Sequence, residues 1–549
     1  MNILVASGGG FQGLAIVKEL SAIDFVNVFV ADTYAENVTK YFSHKSFKVL
    51  PVADPGFIPS LLKLCLAEDI RLIIPSTNHE LALLSGAREQ FSKKNIFIAI
   101  SSLSILKIFL DKKLFYEFLS ENNQPVLPVL DVQSSTIAFP VIGKPRGGWG
   151  GTEILKIHDK AGFENLDDRH RNDFVWQQCL LDFEEISIDF AIGFDRKISI
   201  PNCRKRIRTS GGFAVVMDTY FDPKLLALFD QFASLISGLG ATGLFNMQVL
   251  IQGSDYYISD INPRMGTSSV MWKVNNNNLS RFLIASLPLE THKSPAGESK
   301  IQLQGTHKIV RYIEEICIPE IDLSKIKCLV FDLDDTLLPQ KKWMFLKLKL
   351  VYEKHRIILP GRNAFLEKAM SLIEEGHRKL LIDELINEFK IDPALRDDLI
   401  ASYRQACPAE DITFPEVYFV LCELKRKYGL VLLSDNPLSS QKQKISATKL
   451  EVYFDHVIYT DELGVSKPDP KTFLEVAKRC KYDVSELAMV GDNLYRDIAG
   501  SLKCGYAYGF YLRQHKAMFN FDDIIFRELT GDNMRTTPIE NLKQLLWYL

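Results

Sequence analysis

Apolar runs that end in polar or charged side chains recur along this chain of 549 residues, and such runs predict buried strands of parallel sheets. Segments with the apolar spacing of helices lie between them, so the order of elements predicts a multidomain α/β protein. The first run, residues 1–7 (MNILVAS), leads directly into glycines, and we expect a strand there rather than a signal peptide. No window is apolar for long enough to cross a membrane, so we expect a cytoplasmic protein with no membrane partner.

The most informative apolar run is residues 327–336 (KCLVFDLDDT), which ends in closely spaced carboxylates. Because side chains alternate along a strand, Asp332 and Asp334 point the same way, toward the sheet edge where ligands collect. The alternative, for this pair taken alone, is the start of an ordinary polar loop.

Three further motifs follow in the C-terminal third of the chain. Residues 429–436 (GLVLLSDN) form a predicted strand ending in Ser434, residues 464–470 (GVSKPDP) place Lys467 in a turn stiffened by prolines, and residues 487–497 (LAMVGDNLYRD) combine a strand with two carboxylates. In this order, the four motifs resemble those of the haloacid dehalogenase phosphohydrolase superfamily over residues 325–515.

The resemblance implies a phosphomonoesterase with Mg²⁺ as cofactor, since an anionic substrate and a carboxylate nucleophile need a cation between them. It implies that Asp332 is the nucleophile that forms an aspartyl-phosphate, and that Asp334 protonates the leaving oxygen and then activates water. Ser434 and Lys467 would hold the phosphoryl oxygens, and a surface lysine is the alternative for Lys467 taken alone. The implied metal ligands are Asp332, the backbone carbonyl of Asp334, and Asp492, with Asp497 in support.

About a hundred residues of helical pattern separate Asp332 from Ser434, which is too long for a loop. They predict an inserted helical cap at about residues 340–415, the element that closes over the site in this superfamily. Residues 341–356 are basic, which is also typical of a helix that binds membranes or nucleic acid. We expect a solvated cap helix instead.

Composition narrows the class of protein without naming a reaction. A hydrophobic content of 47% and a charged content of 24% are ordinary for a globular enzyme, and a net charge of −3 gives no electrostatic argument for a nucleic-acid partner. Nine cysteines without a Cys-x-x-Cys pair indicate free thiols in a reducing compartment, rather than disulfides or zinc. The length allows roughly two to four domains.

The glycine-rich turn at residues 8–13 (GGGFQG), with Asp32 after the next predicted strand, matches a dinucleotide-binding fingerprint. An oxidoreductase would use such a turn to bind a pyrophosphate at a helix N-terminus. Glycines here can equally permit close packing of a strand and a helix. The next two hundred residues decide between the two readings.

Several segments in those two hundred residues form a second set of motifs. A helix opens at residues 111–119 (DKKLFYEFL), a strand ends in a lysine at residues 139–145 (FPVIGKP), and the glycine loop 146–152 (RGGWGGT) follows it. Residues 246–250 (NMQVL) and 257–266 (YISDINPRMG) look like adjacent strands that end in oxygen ligands and an arginine. The set resembles the ATP-grasp superfamily, in particular its carbamoyl phosphate synthetase and carboxylate-amine ligase branch, over residues 1–310.

Within that family, the turn at residues 8–13 belongs to a preceding α/β lobe and binds no dinucleotide, so we set the oxidoreductase reading aside. The resemblance implies that Lys112 and Lys144 contact ATP phosphates and that Arg264 faces the transferring phosphate. Gln178 and Gln248 stand where relatives carry acids, which leaves ribose recognition less certain and gives the metal site one fewer carboxylate. The other implied residues are the covering loop Gly147, Gly148, Gly150 and Gly151, the adenine hinge at Gln177, Gln178 and Leu180, Glu185 for the ribose, and the Mg²⁺ ligands Gln248, Asp260 and Asn262.

Arg204, Arg206 and Arg208 alternate on a predicted strand, which places them on one face where they could bind a carboxylate or an acyl phosphate. A solvated edge strand is the alternative, and a nucleic-acid or localisation patch is a third reading.

Together these features predict three domains: a Rossmann-like pre-ATP-grasp lobe (1–105), an ATP-grasp domain with two α+β lobes (106–318), and a Rossmannoid parallel-sheet phosphohydrolase with its cap (319–549). We expect a bifunctional enzyme in which ATP activates a carboxylate for attack by an amine, while a phosphatase acts on a metabolite of the same pathway. The alternatives are a phosphatase with a regulatory nucleotide-binding module, or a carbamate- or carboxyphosphate-type kinase. The expected cofactors are ATP and Mg²⁺, with Mn²⁺ as a substitute, the expected partners are small molecules, and a homodimer is left open.

Overall fold

The computed structural model describes residues 1–132, 137–147, 153–210, 213–267, 272–275, 277–288, 307–311, 321–376, 380–513 and 535–549. The chain divides into two compact units, Met1–Ile316 and Cys317–Leu549, and each unit has its own sheets and core. Among the described residues, no helix is both long enough and apolar enough to traverse a bilayer.

The N-terminal unit opens with a parallel sheet of five strands in the order β3-β2-β1-β4-β5. The apolar first strand lies at its centre and is buried, as its composition predicts. The elements are β1 (Asn2–Ala6), α1 (Phe11–Leu20), β2 (Asn27–Asp32), β3 (Lys45–Lys48), α2 (Phe57–Ala67), β4 (Ile70–Pro75), α3 (Leu81–Ser92) and β5 (Phe97–Ile98).

The glycine-rich turn between β1 and α1 permits a very close approach of the backbone. A Cβ atom on Gly13 would lie 1.9 Å from the carbonyl oxygen of Gly8, so only glycine fits there. Asp32 at the end of β2 accepts a hydrogen bond from the backbone N–H of Gly9 at 2.8 Å. These contacts give the glycines and Asp32 a packing role within the lobe.

Two helices lead into a small antiparallel sheet with the order β7-β6-β8. Asp111 caps the second of these helices, because its carboxylate accepts hydrogen bonds from the backbone N–H groups of Lys113 and Leu114. The elements are α4 (Leu103–Leu110), α5 (Lys112–Glu121), β6 (Val141–Pro145), β7 (Leu155–Ile157), α6 (Lys160–Glu164), α7 (Asp168–Asn172) and β8 (Phe174–Gln178).

A six-stranded antiparallel sheet completes the N-terminal unit, with the order β13-β12-β9-β10-β11-β14. Aromatic residues from this sheet and from helices α5 and α8 form its core, among them Phe115, Phe190, Phe232 and Phe245. The elements are β9 (Glu184–Ile192), β10 (Asn202–Ser210), β11 (Phe213–Thr219), α8 (Pro223–Gly238), β12 (Gly243–Gln252), β13 (Asp255–Asn262), α9 (Trp272–Asn275), α10 (Leu279–Ala285) and β14 (Lys308–Val310).

The C-terminal unit contains a parallel sheet of six strands in the order β17-β16-β15-β18-β19-β20. Its strands are β15 (Cys328–Phe331), β16 (Gly429–Ser434), β17 (His456–Tyr459), β18 (Leu487–Gly491), β19 (Tyr508–Leu512) and β20 (Thr536–Ile539). The helices associated with the sheet are α15 (Val417–Lys425), α16 (Leu438–Thr448), α17 (Pro470–Cys480), α18 (Gly500–Lys503) and α19 (Leu545–Tyr548).

Of the helices described between β15 and β16, the first four form the cap that the sequence predicts. They are α11 (Gln340–His355), α12 (Arg362–Glu374), α13 (Leu381–Phe389) and α14 (Arg396–Gln405), and they share an apolar core of their own. The basic residues of α11 meet acids of the cap, since Lys341 lies 3.5 Å from Glu374 and Lys354 lies 3.9 Å from Asp398. Lys347 departs from the expected solvated helix because it is buried.

Candidate active sites

The carboxyl ends of three adjacent strands bring the C-terminal motifs together. Strand β15 pairs with both β16 and β18, so Asp332, which follows it, lies between the ends of its two neighbours. Ser434 ends β16 and Asp492 follows β18, and all three side chains are buried. A parallel sheet places such residues at one edge, which is where the sequence predicts a site.

Lys467 connects two of the carboxylates at this edge. Its Nζ lies 2.5 Å from Oδ1 of Asp332 and 2.6 Å from Oδ1 of Asp497, and it donates to the carbonyl oxygen of Leu433 at 3.3 Å. Burial lowers the pKa of Lys467, but the charges of Asp332, Asp497 and Asp435 outweigh this effect and raise the pKa overall. The neighbouring carboxylates therefore favour the charged form of this lysine inside the site.

Asp332, Asp492 and Asp497 offer three carboxylate oxygens that lie within 4.8 Å of one another. Burial raises the pKa of Asp332 to about 8, although Lys467 opposes the rise. Burial, followed by the charges of Asp332 and Asp497, raises the pKa of Asp492. Crowded, buried carboxylates of this kind fit a divalent cation with hard oxygen ligands, and Mg²⁺ meets that description. Asp497, expected only in support, lies in this cluster as well as against Lys467.

Asp334 is held by three side chains that the sequence did not single out. Its Oδ2 accepts hydrogen bonds from Asn436 Nδ2 at 3.0 Å and from Gln441 Nε2 at 2.9 Å, and its Oδ1 forms an ion pair with Lys444. Gln441 and Lys444 lie three residues apart on α16, and both are buried. Because α16 is polar along most of its length, its sequence gives no signal that singles out these two residues.

Asp435 and Arg496 support the turn that carries Lys467. Asp435 accepts hydrogen bonds from Thr460 Oγ1 at 2.6 Å and from the backbone N–H of Lys467 at 3.2 Å, and it forms an ion pair with Arg496. Arg496 Nε also donates to the carbonyl oxygen of Lys467 at 3.1 Å. Ser434 donates from Oγ to the carbonyl oxygen of Asp435 at 3.3 Å. Neither Asp435 nor Arg496 was among the predicted site residues.

In the N-terminal unit, both predicted phosphate-binding lysines lie near strand β13. Lys112 Nζ is 4.0 Å from Asp260 Oδ1, and Lys144 Nζ donates to Tyr116 Oη at 3.1 Å and to Ser259 Oγ at 3.2 Å. Burial lowers the pKa of Lys144, and the charge of Asp260 opposes the shift. Two lysines beside one carboxylate leave an excess of positive charge, which suits an anionic ligand.

The predicted metal ligands of this unit lie on paired strands. Gln248 is directly opposite Asp260 in the pairing of β12 with β13, and Asn262 is two residues further along β13. Only one of these three residues is a carboxylate, but all three offer the oxygen atoms that suit Mg²⁺. Asn262 Oδ1 accepts a hydrogen bond from Arg264 Nη2 at 3.3 Å.

Arg264 is buried, and it connects the end of strand β13 to the loop that follows strand β4 of the first sheet. Its Nε donates to Asn78 Oδ1 at 3.1 Å, and Asn78 follows strand β4 of the first sheet. Burial lowers the pKa of Arg264, and the charges of Asp260 and Asp189 oppose the shift. The first lobe therefore helps to orient the arginine that is expected to face the transferring phosphate.

The predicted hinge lies at and just after strand β8. The amide of Gln177 donates to the carbonyl oxygen of Leu127 at 2.6 Å, and that of Gln178 donates to the carbonyl oxygen of Pro140 at 2.9 Å. Leu180 is half-buried. Of the predicted covering loop, Gly147 is open on the side where a Cβ would stand, and Gly148, Gly150 and Gly151 lie outside the described residues.

Strand β10 uses two of its three predicted substrate arginines to bind acids of β9. Arg204 is buried in an ion pair with Asp189, and Arg206 pairs with Glu185, the residue expected at the ribose. The pairing register shifts on both sides of Arg208, which is exposed, so alternation does not determine its face. Arg204 is thus part of a buried ion pair and does not line an open site for an anion.

Comparison with known proteins gives three family matches along the chain. A haloacid dehalogenase-like hydrolase model matches residues 326–505, a PylC-like N-terminal domain matches residues 3–99, and an ATP-grasp domain matches residues 109–268. These three stretches contain the motifs described above.

The chain is also similar to named phosphatases and to solved structures. Glyceraldehyde 3-phosphate phosphatase of Pyrococcus abyssi is 32% identical over 33% of this chain and 79% of its own length. N-acylneuraminate-9-phosphatase of Mus musculus is 26% identical over 33% of this chain and 81% of its own. The structure of N5-carboxyaminoimidazole synthetase from Staphylococcus aureus complexed with ADP is 16% identical, covers 52% of this chain and 76% of its own, and has a TM-score of 0.43.

Proposed function

Because the chain belongs to the haloacid dehalogenase-like hydrolases and also carries an ATP-grasp domain, we propose that it is a bifunctional enzyme with a phosphatase and an ATP-dependent ligase. The phosphatase would remove phosphate from a small metabolite. The ligase would join a carboxylate to an amine with release of ADP. One pathway would connect the two reactions.

The contact between Lys467 and Asp332 carries the phosphatase half of the proposal. Asp332 would attack phosphorus, and Lys467 with Ser434 would hold the phosphoryl oxygens as the charge shifts toward the leaving oxygen. Asp334 would give that oxygen a proton and later take one from water. Asp332, Asp492 and Asp497 would hold Mg²⁺, which supplies positive charge against the repulsion between carboxylate and phosphate.

The position of two lysines beside Asp260 supports the ligase half. Lys112 and Lys144 would bind ATP phosphates, and Arg264 would face the phosphoryl group as it moves to the acid. Gln248, Asp260 and Asn262 would hold Mg²⁺, which would neutralise negative charge on the ATP phosphates. The acyl phosphate would then be attacked by the amine, with inorganic phosphate as the second product.

The similar phosphatases act, by their names, on a phosphorylated triose and on a phosphorylated acidic sugar. We therefore propose a small, hydroxylated phosphomonoester as the substrate of the C-terminal site. It would be a substrate or a product of the ligase.

The test is an assay of the purified full-length chain with ATP, Mg²⁺ and panels of acids, amines and sugar phosphates. We expect ADP release that depends on both an acid and an amine, and phosphate release from a phosphomonoester without ATP. Asn262→Ala should abolish only the release of ADP. Asp332→Asn should abolish only the release of phosphate from the phosphomonoester. ADP release that never depends on an amine would exclude the ligase, and would favour a kinase or a regulatory nucleotide site.

A further inference from the structure

The carboxylate of Asp334 is bound by three residues of the segment that follows strand β16. We call Asn436, Gln441 and Lys444 the α16 anchor. The two amides donate to Oδ2 of Asp334 at 3.0 and 2.9 Å, and the ammonium group of Lys444 pairs with Oδ1. Both carboxylate oxygens are therefore engaged by the anchor.

Lys444 is buried to an extent that is unusual for a lysine. It is 2% exposed, and Gln441 is fully buried. A buried ammonium group is costly unless a carboxylate and further polar groups compensate it. Asp334 provides that compensation, so the pair is built into the fold rather than formed by chance on a surface.

The two buried lysines of the site pair with different acids. Lys467 pairs with Asp332 and Asp497, whereas Lys444 pairs with Asp334. Asp334 thus has a buried cation of its own, and in the described part of the chain no ion pair joins it to Lys467. The anchor thereby separates the nucleophile from the acid-base group, although only one residue lies between them in the sequence.

We infer that Lys444 is a positioning residue, which holds Asp334 where it can exchange a proton with the leaving oxygen and then with water. This inference rests on the proposed phosphatase activity. In the first step, the carboxylate of Asp332 bonds to phosphorus, and the bond from phosphorus to the leaving oxygen breaks. The proton that Asp334 took up in the previous turnover yields the free alcohol, which leaves Asp334 as the carboxylate that pairs with Lys444. In the second step, water attacks the aspartyl-phosphate and gives its proton to Asp334, which releases inorganic phosphate and restores Asp332.

The importance of Asp334 in the first step depends on the leaving group. An alkoxide needs a proton as it departs, but p-nitrophenolate is stable without one. General acid catalysis contributes about 10²- to 10⁴-fold where it is needed. Loss of correct positioning should therefore slow the hydrolysis of alkyl phosphates much more than that of p-nitrophenyl phosphate.

The experiment compares the full-length protein with its Lys444→Met variant in Mg²⁺. The substrates are p-nitrophenyl phosphate and the sugar or polyol phosphate that the wild type hydrolyses fastest. We expect kcat/KM, which reports the first step alone, to fall about 100-fold for the alkyl substrate and less than about 5-fold for the aryl substrate. Lys444→Arg should restore part of the alkyl activity. Lys442→Met is the matched control, because Lys442 is on the same helix but is exposed beside Glu462.

Equal losses for both substrates, or no loss for either, would overturn the inference while leaving the phosphatase intact. Gln441→Met serves as a second variant if Lys444→Met does not fold, and it should show the same preference for the aryl substrate with a smaller loss of about 10-fold on the alkyl substrate. A wild-type protein that hydrolyses no phosphomonoester would instead refute the proposed function, and the inference with it.

Discussion

The Nζ atom of Lys467 lies 2.5 Å from Oδ1 of Asp332, and both side chains are buried at the carboxyl edge of the parallel sheet. The same nitrogen is 2.6 Å from Asp497, so one ammonium group faces two carboxylates. This contact spans 135 residues of sequence and depends on the whole sheet being formed. In the proposed phosphatase reaction, it would supply the positive charge that an anionic substrate needs beside an anionic nucleophile.

Replacing Lys467 with methionine should lower kcat/KM for p-nitrophenyl phosphate about 10²- to 10³-fold, because the phosphoryl oxygens lose a donor and Asp332 loses its counter-charge. Phosphate release in Mg²⁺ measures the effect. Lys471→Met is the control, since that lysine is exposed on helix α17. Retention of more than a tenth of the activity by Lys467→Met would contradict the role of Lys467.

Removal of Mg²⁺ should destabilise the C-terminal unit, because Asp332, Asp492 and Asp497 then repel one another in a buried cluster. Burial and the charges of Asp332 and Asp497 raise the pKa of Asp492. Asp492→Asn should therefore raise the melting temperature in EDTA and abolish the further rise that Mg²⁺ causes in the wild type. A ligand at 100 times its Kd stabilises by about 2.7 kcal/mol, which a thermal melt detects easily.

The control for the Mg²⁺ experiment is Glu462→Gln, which changes a more exposed acid outside the cluster. It should leave the effect of Mg²⁺ unchanged. If Asp492→Asn responds to Mg²⁺ as the wild type does, the cluster is not the site at which the cation binds.

Local patterns were sufficient to predict much of this protein. The apolar run within residues 327–336 predicted a buried strand, which the structure has at Cys328–Phe331. The carboxylates after it predicted the sheet edge at which Asp332 and Asp492 meet. Both family resemblances, the parallel sheets and the helical cap are confirmed by the fold and by the family matches. Each depends on short motifs whose spacing is visible in one sequence.

The α16 anchor could not be predicted in the same way. Helix α16 has the sequence LSSQKQKISAT, which is typical of a solvated helix, and its buried Gln441 and Lys444 contact Asp334 across 107 and 110 residues. The alternation of side chains along β10 could not reveal that Arg204 forms an ion pair with Asp189 on β9. Periodicity predicts the face of a helix or strand on which a side chain lies, but it does not predict which charged residue that side chain contacts.

Tyr116→Phe should weaken the binding of ATP, because the Tyr116 hydroxyl lies 3.1 Å from Lys144 Nζ and donates to the carbonyl oxygen of Ser259 at 3.0 Å. Without it, Lys144 loses one of the two hydroxyl groups that orient it. A hydrogen bond to a charged group contributes about 1.5–3 kcal/mol, so we expect Kd to rise roughly 10-fold or more. Calorimetric titration of Mg-ATP measures this without any knowledge of the other substrates.

Tyr256→Phe is the control for the ATP titration, since its hydroxyl bonds to Asp222 instead of a predicted ATP residue. Its Kd for ATP should match that of the wild type. An unchanged Kd in Tyr116→Phe would mean that Lys144 is oriented without this hydroxyl, or does not contact ATP.

Lys347 gives a prediction about pH, because it is buried in cap helix α11 and its ammonium group donates hydrogen bonds to neutral acceptors. Its Nζ lies 3.3 Å from Gln443 Oε1 and 3.4 Å from the carbonyl oxygen of Arg404. Burial, and then the charge of Lys444, lower the pKa of Lys347 from 10.5 to about 8. Between these values the unfolded chain binds the proton more tightly than the folded chain does, so this group makes stability rise as pH rises.

Lys347→Met removes that titration and places an apolar chain of similar length in the same space. The variant should melt at a higher temperature than the wild type at pH 7, where the wild type buries a charged lysine. The difference should shrink steadily as the pH approaches 10, because the folded wild type then carries a neutral amine at this position. Thermal melts at pH 7, 8, 9 and 10 measure it, with Lys342→Met as the control on the exposed side of the same helix. A difference that stays constant over this range would show that the proton on Lys347 does not affect folding.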